Sequence, residues 1–112
     1  MVHDVMANNY KNAKVDLTTT DATTLYTCPA ATTAIVKSIL VSEDSGNADS
    51  ITVTITDSDS NVFSIFKTKA ISANATDELL TNPLVVQENE IIKVTAAAAD
   101  RLHVVASLLE VS

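Results

Sequence analysis

The chain has 112 residues, of which 46% are hydrophobic, and a net charge of −7 at pH 7. That size fits one domain with one modest core, and the apolar content excludes a chain disordered by composition. The acidic balance repels phosphate backbones and anionic headgroups, so neither nucleic acid nor a membrane is expected as a partner.

The first fourteen residues, MVHDVMANNYKNAK, hold no apolar run of signal-peptide length. No segment approaches the roughly 20 apolar residues of a membrane span. The expected setting is a cytosol, or a particle built in one. Residues 1–12 read as an N-terminal arm and residues 13–112 as a single β-sandwich domain. Strands are predicted near 14–18, 23–27, 32–42, 50–57, 62–70, 76–80, 84–86, 91–97 and 102–111. The clearest is residues 50–57, where Ile51, Val53 and Ile55 alternate with Thr52, Thr54 and Thr56. This period of two, filled by β-branched residues, suits a pleated strand.

Turn signals separate the runs. Asp44-Ser45-Gly46-Asn47 holds the single glycine and reads as a hairpin turn. Asp57-Ser58-Asp59-Ser60-Asn61 lies between two strands and reads as a second hairpin loop. Pro83 marks an edge, a bend or a strand start. Glu88-Asn89-Glu90 is a tight turn, and Asn74 belongs to another. Ala96 to Ala99 favour helix by propensity, but they follow a strongly β run, so the strand should enter the first alanines and then turn. Short strands with frequent turns predict an all-β fold, an antiparallel β-sandwich of jelly-roll or Greek-key type with about eight strands.

Two runs are apolar on both faces. In the third strand, Ile35, Ile39 and Val41 are expected to point one way, and Val36 and Leu40 the other. In the last, Leu102, Val104, Ala106 and Leu108 oppose Val105, Leu109 and Val111. A second apolar face must meet the arm or another subunit, so a homo-oligomer or larger array is expected.

The search for chemistry assigns no catalytic, cofactor-binding or metal-binding residue. The run DSDSN resembles the start of a calcium loop. Counting from Asp57, however, Val62 and Thr68 stand where an EF-hand needs Gly and Glu. Cys28 is alone, so no intrachain disulfide exists, and it reads as a small buried hydrophobe. His3 and His103 are far apart and read as structural or surface residues. Glu43, Asp44, Asp49, Asp57 and Asp59 gather around two turns, are expected near one end of the sandwich, and read as solvated acids. A glycan platform would draw on Tyr10 or Tyr26, in a chain with no Trp.

The block TTLYTCPAATTAIVKSILVSEDSGNADSITVTITD resembles small β-sandwich structural proteins of tailed bacteriophages, including marine ones. Leu25-Tyr26-Thr27-Cys28-Pro29-Ala30 resembles the family's lead-in to a long strand. The stretches from Pro83 to Ala96 and from Leu102 to Val111 are similar to its closing strands. The chain departs at Asn89-Glu90, where such proteins often carry Gly-Asp; Asn tolerates the same left-handed turn. The resemblance covers roughly residues 23–111 and implies a non-enzymatic virion protein assembled in the host cytoplasm. Its implied partners are other copies of itself and the major virion proteins. The implied role is head decoration or an accessory on the head, by multivalent docking. The alternative is a tail, neck or fibre module that recognises a host glycan.

Overall fold

The computed structural model describes residues 7–112, which form nine strands and no helix. They are β1 (Asn8–Asp16), β2 (Thr23–Thr27), β3 (Thr33–Glu43), β4 (Asp49–Thr56), β5 (Val62–Ile71), β6 (Thr76–Glu78), β7 (Leu84–Val86), β8 (Ile91–Ala96) and β9 (Leu102–Val111). One sheet has the order β1-β9-β3-β6, with β7 also paired to β3; the other has the order β2-β8-β4-β5. All pairings are antiparallel. Except at β4–β5 and β6–β7, successive strands cross between the sheets, and the two strand orders are those of a jelly roll, which confirms the expected sandwich.

The core lies between the sheets, where each strand presents alternate side chains. Ile51 and Val53 of β4 meet Ile92 and Val94 of β8 on one side; Val104, Ala106 and Leu108 of β9 line the other. The predicted division of β9 into two faces is correct, and the face with Leu102, Val104, Ala106 and Leu108 is the buried one. The predicted set of β3 is not. Val36 pairs with Leu108, yet Ser38 pairs with Ser107, so Lys37 is an extra residue. This bulge turns Ala34, Val36, Ile39 and Val41 all inward and leaves Ile35 and Leu40 on the outer face. Sequence alternation alone put Val36 with Leu40 because it cannot register an unpaired residue. A second bulge, at Leu25, lets the consecutive Leu25 and Tyr26 both be buried.

The turns are built largely without glycine. Gly46 has a φ of +85°, but Ala31, Ser60, Asn74, Asn89 and Asp100 are also left-handed, as is Thr68 within β5. Asn89, at +66°, takes the turn that the Gly-Asp departure required of it. Asp57–Asn61 is a hairpin between the paired β4 and β5, as expected. The turn at residues 44–47 is not a hairpin: it carries the chain from β3 in one sheet to β4 in the other. β8 ends at Ala96, and the amide of Ala98 then donates to both Asp49 carboxylate oxygens, each at 3.2 Å. Residues 8–12 of the expected arm are the first half of β1, whose polar sequence hides a strand that exists by pairing with β9. Residues 1–6, with His3, lie outside the described residues.

Candidate functional site

The residues that sequence marked for chemistry do not converge. The acids divide between the two ends of the sandwich, because Asp49 opens β4 while Asp57 follows its last residue. Glu43 is not solvated. It is 1% exposed, and its carboxylate accepts from the amides of Ser45 (2.9 Å), Gly46 (3.1 Å) and Asn74 (3.0 Å) and from the Ser45 hydroxyl. Burial pushes its carboxyl up, but the Ser45 hydroxyl and these amides outweigh that and hold it down at about 2. Nothing in its sequence position distinguishes it from a surface acid; only the loops that fold around it do.

Asp57 is consumed by its own loop. Its Oδ1 accepts from the amides of Asp59 and Asn61 and its Oδ2 from the Asn61 side chain, at 2.9 to 3.3 Å. The Asn61 amide is the main reason its carboxyl lies below the usual range. Among the described residues no three His, Cys, Asp or Glu side chains come together as metal ligands would. His103 is half-exposed, with Nε2 3.2 Å from Asp16 and Nδ1 3.3 Å from Asp44.

Cys28 is fully buried, and its thiol donates to the Thr32 carbonyl at 3.3 Å. Burial raises its pKa, the opposite of what a nucleophile needs. Tyr26 is 6% exposed, and its hydroxyl donates to Glu110 at 2.5 Å, tying β2 to β9 across the core. Burial, then that bond, pushes the phenol far above its ordinary value. Tyr26 therefore has no ring face to offer a sugar. Tyr10 does, being 71% exposed, although the Lys37 ammonium already stands 5.4 Å from its ring centre.

What the fold does assemble is a surface. On the solvent side of the five-stranded sheet, cross-strand neighbours form rows. Tyr10, Leu109, Ile35 and Val85 make one apolar row across four strands. Val105 and Leu40 make a second, ending at Lys14 on β1. Between them runs the polar row Asn12, Ser107, Ser38. Leu40 and Val85 are 39% and 51% exposed, unusual for large apolar residues on a sheet that needs one buried face. The second apolar face read from β3 and β9 is present; the Lys37 bulge decides which β3 residues belong to it.

No protein-family model matches the chain, and no curated protein is similar to it. The fold has a counterpart among solved structures. A structure from Bacillus endospore appendages, described as a novel family of disulfide-linked pili, superposes with a TM-score of 0.60 at 9% identity. The match covers 97% of this chain and 89% of that one. At that identity the likeness shows the fold alone.

Proposed function

We propose that this chain is a non-enzymatic structural protein that works in many copies, as a head decoration or accessory protein of a tailed bacteriophage. The observation that carries the reading is the pair of apolar rows on the outer face of the five-stranded sheet. Apolar area held open on a rigid sheet gains free energy when a partner covers it, at roughly 25 cal/mol per Å². The resemblance of residues 23–111 to phage sandwich proteins supports the virion setting. The pili described for the similar structure support only the general point that such a sandwich serves in an assembly. Those pili are disulfide-linked, whereas Cys28 here is buried, so contacts between copies of this chain are non-covalent.

The test is immunogold labelling of phage particles with an antibody against the purified chain. Label spread over the head supports the reading. Label confined to neck or tail moves the chain to the connector or adsorption apparatus, where Tyr10 becomes the residue to test for glycan contact. Particles without label overturn the virion role. Val85→Asp with Leu40→Glu should leave the fold intact and lower occupancy on particles at least about tenfold, since multivalent docking amplifies each lost contact.

A further inference from the structure

We infer that two copies of this chain pair edge to edge through β1, antiparallel, about a two-fold axis at Asn12. This deepens the reading above, because it names a self-contact for a protein taken to work in many copies. Three of the four outer edges are defended. β6 and β7 are three residues each and are separated by a bend with Pro83; β2 has five residues and a bulge. β5 is long, but its pairing shifts register twice, and Lys67 and Lys69 lie along it. Short strands, bulges, Pro and Lys are the devices that block edge pairing. β1 has none of the first three: nine successive residues pair with β9 without a shift.

The hydrogen-bond phase shows what this edge offers. Ala7 and Ser112 exchange both backbone bonds at 3.1 Å, and the Leu17 amide donates to the Leu102 carbonyl at 3.0 Å. Odd-numbered residues of β1 therefore bond to β9. Asn8, Tyr10, Asn12, Lys14 and Asp16 turn their amides and carbonyls to the open edge. Asn12 is the midpoint of Asn8–Asp16. An axis there matches all nine residues. Lys14 falls opposite the partner's Tyr10, Asp16 opposite the partner's Asn8, and Asn12 opposite the partner's Asn12. Moving the axis to Lys11 or Lys14 would oppose two ammonium groups and shorten the overlap. Two shallow depressions follow one another along β1, one lined by Tyr10, Lys11 and Asn12 and the next by Lys14, Val15 and Asp16.

Asn12→Cys tests the geometry. Cross-strand Cα atoms in such a pair lie about 5.5 Å apart, within disulfide reach. Under mild oxidation Asn12→Cys should form a covalent dimer at least about tenfold faster than Ser58→Cys, an exposed loop control. Equal rates overturn the pairing. Asn12→Pro removes an amide that the monomer does not use. It should convert a species of twice the 11.8 kDa chain mass into a monomer at about 100 μM, with unchanged circular dichroism. An Asn12→Pro protein that keeps the wild-type mass overturns the pairing; if that variant unfolds, the cysteine rates decide. Fast cross-linking with unlabelled phage particles would remove the virion role and keep the dimer. Slow cross-linking with labelled heads would do the reverse.

Discussion

At the scale of single residues, the sharpest contrast is between Glu43 and the acids around it. Its carboxylate supplies the acceptors for three amides on two loops, so Glu43→Ala would strand those donors. The unfolding temperature should fall by on the order of 5–10 °C, and Glu43→Gln should recover part of the loss because one amide oxygen remains. Differential scanning calorimetry of both variants checks this. Ala31 holds a left-handed φ of 57°, while its amide donates to Glu88 at 2.7 Å. Ala31→Gly removes the Cβ penalty of that conformation and should raise stability by about 1 kcal/mol in urea unfolding. A loss would mean that the extra freedom of the unfolded chain outweighs the relieved strain. The role of Glu43 was not legible in the sequence, because a buried acid satisfied by backbone amides has no motif. The turn at Asn89 was legible, because Asn is one of the few residues that accept it.

At the scale of elements, β3 shows what periodicity reads and what it misses. The sequence placed β2, β7 and β9 on their observed bounds, since β-branched runs there end at clear turn signals. It missed the first half of β1, where three asparagines, a tyrosine and a lysine form a strand only because β9 offers a partner. It also mis-sorted β3, because the bulge at Lys37 breaks the alternation. That bulge gives an unusual prediction. Deleting Lys37 restores strict alternation with every inward residue still inward, so the variant should fold, losing only about 1–2 kcal/mol. Deleting Leu40 instead turns Val41 and Glu43 outward and should cost more than about 4 kcal/mol, enough to leave little folded protein. Paired urea titrations compare the two. Equal losses would show that the bulge, and not the facing of the core, governs this strand. Glu78 is the anchor that keeps the bulge in place, accepting from the Ile39 amide at 2.8 Å and from the Ser38 hydroxyl.

At the scale of the whole molecule, three carboxyls among the described residues sit below their ordinary values: Glu43 at about 2, Asp57 and Glu78. For Glu78, burial acts upward and is outweighed by the bonds from Ser38, Ile39 and Leu80. A depressed carboxyl binds more protons unfolded than folded as pH drops. Its contribution is therefore full above the unfolded values of 4.5 for Glu and 3.8 for Asp, and it is lost as pH falls toward about 2. The urea midpoint should be flat from about pH 7 to 5 and fall steadily from about pH 4 to 2. A midpoint that holds to pH 2 would mean these bonds are not made in solution. The broad architecture, an all-β sandwich with an apolar second face, was legible because composition and alternation act over the whole chain. The crossing at residues 44–47 and the division of the acids were not, since both depend on which sheet each strand joins.

β9, the last of the nine strands in chain order, lies between β1 and β3, inside its sheet. β1 therefore has no neighbour in its own sheet until the ten residues of β9 have emerged from the ribosome. Folding then requires contacts between β1 and β9, which lie far apart in sequence, and closing so long a loop slows the search. A chain cut short before β9 would carry an unpaired β1 and a β3 open along one edge, two sticky edges that distinguish incomplete copies from folded ones.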